Sequence, residues 1–366
     1  MSVWSPALSF FGDTETLNAE ARYVKIGVLT GGGDCPGLNP AIRAVVRRAD
    51  QLGWEVIGFL NGWAGLLGEG NARPLTPKDV STILTIGGTM LGTSRTNPMR
   101  NPEHMDQVVA NFSRHGIDAL IAIGGDDTLS VAATLFEIGQ KTVGIPKTMD
   151  NDLSETDACI GFNSAITTVT DALDRLRTTG MSHHRVMVVE VMGRDAGWVA
   201  TVGGIAGGAD YILIPEVDVP ISEVCASLKR SHDAGKDFSI VVVSEGAKLP
   251  DVDVESGDSA TDAFGHIRLD KRNLGEVVAF EIEKRTGFET RATVLGHIQR
   301  GGTPSAYDRL LGTRAGVAAV DYINEGKFGY MPALQGEKMV PVLLKDVVAR
   351  NRTVDLDLWK LASTFY

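Results

Sequence analysis

The sequence predicts an α/β protein of mainly parallel sheets, spread over two domains. Three observations carry that expectation. Near-continuous runs of Val and Ile recur along the chain, as strands buried on both faces require. Helical stretches long enough to serve as crossovers lie between them. The chain has 366 residues; at ~150 residues per domain that is two domains and a little more, each large enough to bury a core without disulfide staples.

The elements follow in order. Val24 to Thr30 reads as a buried strand, followed by a glycine loop and a helix from Asn39 to Gln51. Further strands are read at Glu55 to Phe59, Ala119 to Ile123, Thr142 to Ile145, Arg185 to Val191, Tyr211 to Ile214 and Ser239 to Val243. Asp251 to Asp262 is an acidic loop containing Ser and Gly, its charge serving to solvate it. No fixed-period repeat interrupts this order. Residues 1–22 are read as an arm. Its apolar run Ala7 to Phe11 has no basic segment before it and is too short to span a bilayer or direct export. Trp4 and Phe10 are available to pin the arm to a neighbouring surface.

Composition narrows the function. Forty-six acidic residues against 35 basic ones give a net charge of −11, which argues against nucleic acid or an anionic membrane as partner. An anionic substrate must then be held by local arginines or by a metal. Cys35, Cys159 and Cys225 form neither a disulfide framework nor a zinc spacing, which fits a reducing, cytoplasmic setting.

The candidate chemistry gathers at strand ends, where open parallel sheets bind ligands. Thr30 to Gly37 (TGGGDCPG) joins a strand to a helix, so its backbone N–H groups can approach phosphate oxygens; a tight turn is the other reading. The segment is neither a dinucleotide fingerprint nor a Walker loop, since Pro36 occupies the last glycine position of the first and Leu38 follows Gly37 where the second has Lys. Gly124-Gly125-Asp126-Asp127-Thr128 offers two carboxylates suited to Mg²⁺, which uses one or two such groups with phosphate oxygens and water. Capping of the following helix would explain one of the two acids. Pro146 to Asp152 (PKTMDND) supplies a cation, a hydroxyl and the carboxylates Asp150 and Asp152: a base for a hydroxyl nucleophile and a positive group for phosphate, or else an Asx-rich turn. Arg185, Arg194, Arg291 and Arg300, with His297, form a basic set whose guanidinium forks fit phosphate. His183 and His184 lack metal spacing and are read as structural.

Together these segments resemble the phosphofructokinase family. The likeness runs from Lys25 to Arg309 and rests on the ordered set IGVLTGGGDCPGLN, GGTMLGTSR, AIGGDDT, PKTMDND, HHRVMVVEVMGR, VSEGA and RATVLGHIQRGGTPSAYDR. The resemblance implies two doubly wound α-β-α domains with the active-site cleft between them, the chain crossing over twice. The larger, phosphoryl-donor domain would take 23–161 plus 299–349, and the smaller, fructose 6-phosphate domain 162–298 plus 350–366. It implies transfer of a phosphoryl group to the C1 hydroxyl of fructose 6-phosphate, with Mg²⁺ as cofactor.

Position by position, the resemblance gives Gly33 to the donor-phosphate loop, Arg95 to the donor phosphates and Asp126 to the metal. It places Thr148 and Asp150 at the sugar hydroxyl, with Asp150 as general base and Asp152 beside it. Arg194 lies over the transferring group, Met192 and Gly193 line the sugar, and Glu245 accepts from a sugar hydroxyl. His297 and Arg300 hold the 6-phosphate, with Arg185 and Arg291 contributed by a neighbouring subunit of a homodimer or homotetramer. Such chemistry needs alignment, a metal and positive charge rather than covalent catalysis.

Two positions bear on the donor. Members using ATP usually have glycine after the metal aspartate and often before the Thr-x-Asp, whereas this chain has Asp127 and Lys147. That pair resembles pyrophosphate-dependent members. Asp127 adds volume and negative charge near where the α-phosphate of ATP would lie, and Lys147 adds a cation for a leaving phosphate. Asp127 carries most of the weight. The alternatives are an ATP-dependent enzyme, a non-catalytic regulatory subunit, or a lipid or NAD kinase with a similar glycine loop. Arg43, Arg47 and Arg177 match basic effector positions in allosteric relatives, but Ala234 and the Thr76–Pro77 region lack the rest; subunit contacts are the other use for these arginines.

Overall fold

The computed structural model describes residues 24–252 and 273–366. The arm 1–22 and all of the acidic loop beyond Val252 lie outside the described residues. The first half of the chain runs β1 (Lys25–Thr30), α1 (Leu38–Gln51), β2 (Glu55–Phe59), β3 (Ala72–Leu75), α2 (Pro102–His115), β4 (Ala119–Gly124), α3 (Asp126–Glu137), β5 (Thr142–Pro146) and α4 (Phe162–His183). It continues with β6 (Val186–Val191), α5 (Trp198–Ala206), β7 (Tyr211–Leu213), α6 (Ile221–Asp233), β8 (Ser239–Ser244), α7 (Leu274–Thr286), β9 (Thr290–Val294), α8 (Ala306–Asn324), β10 (Tyr330–Gln335), β11 (Lys338–Leu343), α9 (Leu344–Val347) and α10 (Leu356–Ala362).

These strands form two sheets. The seven-stranded one has the order β11-β10-β5-β4-β1-β2-β3, and the four-stranded one β7-β8-β6-β9. The smaller sheet is parallel throughout. In the larger sheet only the edge pairs β2–β3 and β10–β11 are antiparallel. The Val/Ile runs mark β4, β5, β6 and β8, each buried along its length. The edge strands of the larger sheet escape that pattern. β3 carries Arg73 and Pro74 and β11 carries Pro341, residues that edges tolerate and centres do not.

Side-chain alternation divides the core of the larger sheet. Ile26, Val28, Ile121 and Ile123 face α1 and α8, while Leu29, Leu120 and Ala122 pack on the other face with Leu129 of α3. Both faces of a parallel sheet are thereby covered.

Two sets of side-chain bonds tie distant parts of this frame together. Asp308 on α8 is fully buried, and its carboxylate accepts the N–H of Gly161 (2.9 Å), the N–H of Ser164 (2.7 Å) and the Ser164 hydroxyl (2.6 Å). It satisfies donors at the start of α4 that no residue of α4's own N-cap position reaches. At the far end of the chain, Tyr366 stacks on Tyr211 at 4.4 Å and its hydroxyl accepts from Ile212 N–H, while Trp359 Nε1 donates to Ile212 O. Both backbone groups of Ile212 on edge strand β7 are thus occupied by side chains, which blunts that edge.

One expectation changes. Asp251 is not merely solvated: its carboxylate accepts the N–H groups of Ile221 and Ser222 at the start of α6 and pairs with Arg285 at 2.6 Å. Arg177 donates to the carbonyls of Gly207 and Gly208, just past the C-terminus of α5, where a cation complements the exposed carbonyls. Among the described residues no helix is long and apolar enough to cross a membrane.

Candidate active site

The carboxyl ends of β1, β4 and β5 converge on a cleft of about 380 Å³, closed on the other side by the loop after β6 and the turn after β9. Gly33, Arg95, Asp126, Asp127, Lys147, Thr148, Asp150, Asp152, Met192, Arg194, Glu245, His297 and Arg300 all line it. Asp126 and Asp127 form the first turn of α3, with Gly125 at the N-cap position and no side-chain cap. The helix starts two residues before Thr128. Both carboxylates therefore lie by the positive end of the helix rather than closing it off.

Lys147 is almost fully buried and donates to the carbonyls of Gly31 (3.0 Å) and Gly33 (2.6 Å). Its ammonium braces the glycine loop from beneath, and burial lowers its pKa. Arg300 closes on the same loop from the opposite wall: Nη1 donates to Asp34 O at 3.2 Å, and a Cβ at Gly33 would lie 2.7 Å from that nitrogen. Only glycine at 33 admits the guanidinium so close.

On the PKTMDND loop the N–H of Asp150 donates to Thr148 Oγ1 at 3.2 Å. One carboxylate oxygen of Asp150 and one of Asp152 are buried with no hydrogen-bond partner. Burial, then the neighbouring Asp152, pushes Asp150 up to about 7. Burial also raises Asp152 and Glu245. A carboxyl poised near neutrality inside a cleft is suited to accept a proton.

Gly193 does not line the cleft itself but turns the chain. At φ 137° it occupies backbone space closed to other residues, and its carbonyl accepts from Ser244 Oγ (2.6 Å) and Gly246 N–H (3.1 Å). Met192 and Arg194 on either side thereby enter the cleft. Buried Gln299 accepts from Met192 N–H at 3.3 Å and donates to Gly296 O, tying this loop to the His297–Arg300 turn.

Arg185 and Arg291 are not among the lining residues. Both donate to Glu289 Oε1, at 2.7 and 2.6 Å, on the surface formed by β9 and the approach to β6. The thiol of Cys35 is buried beside the loop, donates to Ile160 O and is pushed up to about 12 by burial, which makes it inert.

Asp34, Thr93, Ser94, Asp195 and Asn351 also line the cleft, although the sequence alone does not single them out. The first four lie inside or beside the quoted motifs; Asn351 lies far past them. The lining has seven Asp and Glu side chains against four Lys and Arg, so a polyanionic donor needs a cation brought with it. Among the described residues no three His, Cys, Asp or Glu side chains converge on a metal by themselves. The adjacent carboxylates of Asp126 and Asp127 on the cleft wall fit Mg²⁺, which dehydrates reluctantly and takes one or two protein carboxylates.

The family model for phosphofructokinase matches residues 25–323. The chain belongs to the phosphofructokinase family. Its activity is accordingly phosphoryl transfer to fructose 6-phosphate. A pyrophosphate–fructose 6-phosphate 1-phosphotransferase of Streptomyces coelicolor is 51% identical over 345 residues, covering 94% of this chain and 100% of that one. An ATP-dependent 6-phosphofructokinase 2 of the same organism is 48% identical over 335 residues, covering 91% and 97%. So small a gap does not select the donor. The pyrophosphate-dependent phosphofructokinase of Nitrosospira multiformis superposes with a TM-score of 0.78 at 22% identity, over 90% of this chain and 86% of that one. At that identity the likeness speaks for the shared fold alone.

Proposed function

We propose that this phosphofructokinase takes its phosphoryl group from pyrophosphate, giving fructose 1,6-bisphosphate and phosphate reversibly. The observation carrying the donor is Asp127, a second carboxylate in the first turn of α3 and on the cleft wall. A donor ending at its second phosphate avoids the repulsion that the α-phosphate of ATP meets there.

In this reading Gly33, Arg95 and the helix end at α3 receive the donor. Asp126 holds Mg²⁺, which would neutralise charge on the donor oxygens. Lys147 sets the shape of the glycine loop and adds positive charge beneath it. Asp150 takes the C1 hydroxyl proton, with Thr148 and Asp152 orienting it; its raised pKa supports that role. Arg194 meets charge on the transferring group, which in a loose transition state sits on the equatorial oxygens. Met192 and Glu245 receive the sugar, with Gly193 turning the chain so that Met192 enters the cleft, and His297 and Arg300 receive the 6-phosphate.

The donor domain we propose is 23–161 plus 299–349 and the sugar domain 162–298 plus 350–366, a division supported by the membership of the two sheets. Arg185 and Arg291 serve the sugar phosphate of a neighbouring subunit in a homodimer or homotetramer; their position outside the chain's own cleft supports this. A cytoplasmic setting fits the three buried thiols, which form no disulfide among the described residues.

The test is steady-state turnover with fructose 6-phosphate and Mg²⁺, comparing pyrophosphate with ATP. Preference for pyrophosphate in kcat/KM is expected. Preference for ATP would replace this reading with the ATP-dependent one.

A further inference from the structure

Residues 350–354 cross from α9 to α10, beyond the segment that the family model matches. Arg352 in this strap is engaged on every side. Its N–H donates to Asp152 O at 2.7 Å, and the preceding Asn351 makes a β-bridge with Leu153. Its carbonyl accepts Trp198 Nε1 at 3.2 Å. Its guanidinium lies 4.3 Å from the centre of the Trp198 ring, and Nη1 donates to Asp157 O at 2.9 Å.

These partners belong to opposite walls of the cleft. Asp152 closes the loop that carries Thr148 and Asp150. Trp198 begins α5, four positions after Arg194 on the other wall. Glu216 reinforces the second attachment, its carboxylate accepting Gly197 N–H and, in the strap, Val354 N–H, each at 2.9 Å. Trp198 is 7% exposed, so the stacked pair is packed rather than floating on the surface. An arginine over an indole face gains from both charge and planarity, which lysine does not reproduce.

We propose that Arg352 is a positioning residue that fixes the separation between the Asp150 wall and the Arg194 wall of the cleft. It touches no reacting atom. Its main chain ties the strap to Asp152 whatever the side chain; the guanidinium acts by joining Asp157 O, on the loop continuing from Asp152, to the Trp198 ring at the helix start behind the phosphoryl-facing arginine. The proposal rests on phosphoryl transfer occurring between those two residues.

The test pairs turnover with a measurement that needs none. Arg352→Ala, Arg352→Lys and Trp198→Leu are compared with wild type using both donors, alongside thermal unfolding and amide hydrogen exchange. A misplacement of ~1 Å costs up to ~10²-fold in rate, so kcat per folded subunit should fall ~10–100-fold in Arg352→Ala, with either KM moving far less. Arg352→Lys should recover only part of the loss. The Arg352→Ala/Trp198→Leu double variant should be no worse than the poorer single. Exchange should quicken in two separate segments, 151–159 and 195–199, which hold the two side-chain partners of Arg352. Full kcat per folded subunit, additive losses, or faster exchange confined to 350–366 would each overturn the proposal. A wild type inactive with both donors would overturn the assigned reaction, while the exchange pattern would still decide whether Arg352 joins the walls.

Discussion

Lys147 Nζ lies 2.6 Å from the carbonyl oxygen of Gly33 and 3.0 Å from that of Gly31. One buried ammonium thus holds both ends of the three-glycine turn on the cleft wall. Replacing it with Met leaves two carbonyls without their donor: that of buried Gly31 at ~1–3 kcal/mol for a buried group left unsatisfied, and that of exposed Gly33 at less, because water can replace the bond. We expect Lys147→Met to lower kcat/KM for the phosphoryl donor ~10–100-fold while the KM for fructose 6-phosphate stays within about twofold, since a single unmade bond of ~1.4 kcal/mol is already tenfold. Steady-state kinetics with each substrate varied in turn checks this.

Asp150→Asn should abolish useful turnover, by ~10²–10⁴-fold for loss of a general base, and should also make the protein more heat-stable at pH 8. Burial and Asp152 raise the folded-state pKa to about 7, above the ordinary carboxyl value. The favourable contribution of the neutral form is therefore complete below the unfolded value. It is lost as pH rises through about 7. Asparagine removes that penalty, so Tm should rise at pH 8 and change little at pH 4. In wild type, kcat/KM should fall as pH drops through the neutral range and the Asp150–Asp152 pair takes up a proton. Calorimetry and a pH–rate profile read both effects.

The sequence made the strand ends legible because buried parallel strands spell themselves out in Val and Ile, as at Ala119–Ile123 and Ser239–Val243. It left β3, β9, β10 and β11 unread because Pro74, Pro332 and Pro341 and the exposed positions of the edge strands β3, β9 and β11 dilute the signal. Motif residues found their cleft: Asp126, Asp150 and Arg194 lie on separate elements and meet. What spacing cannot convey is a bond between distant segments. Nothing around Lys147 says that its ammonium faces two carbonyls 114 and 116 positions away. Nothing in the strap after α9 announces that Asn351 reaches the site.

Asp308→Ala should destabilise the fold more than any single surface change. Its carboxylate serves three donors at the start of α4 from within α8. Hydrogen bonds to a charged group are worth ~1.5–3 kcal/mol each, and losses of this kind overlap, so a total of ~2–5 kcal/mol is expected. Asp308→Asn retains one acceptor oxygen and should fall between. Denaturant unfolding at pH 7 measures both.

Arg185 and Arg291 both hold Glu289 and neither lines the cleft of its own chain. If they serve a neighbour, Arg185→Ala and Asp150→Ala proteins should each be nearly inactive, yet recover part of the activity when subunits exchange. A mixed oligomer then contains sites with both wild-type contributions. Each lost phosphate contact is worth ~1.5–3 kcal/mol, enough for the recovery to stand above background. Mixing after mild dissociation, with exchange verified by mass, checks the outcome. Silence in verified mixed oligomers would count against sharing.

Donor choice should depend on Asp127 more than on Lys147. Asp127 follows Asp126 in the first turn of α3, on the cleft wall, whereas the Lys147 ammonium lies beneath the glycine loop with two of its hydrogen bonds already directed to carbonyls. Specificity is a difference of affinities, and one repulsive group near the longer donor can supply it. On the proposed reading Asp127→Gly removes charge and volume from the place where only ATP would extend, so ATP use should rise and pyrophosphate use weaken. Lys147→Gly removes support for the loop shared by both donors. It should lower pyrophosphate turnover without admitting ATP, because the repulsion remains. The measurement is kcat/KM for both donors in wild type, the two single variants and the double variant. An unchanged donor ratio in Asp127→Gly would show that exclusion of ATP arises elsewhere in the cleft. A ratio shifted as much by Lys147→Gly as by Asp127→Gly would make the loop, and not the second carboxylate, the element that selects the donor.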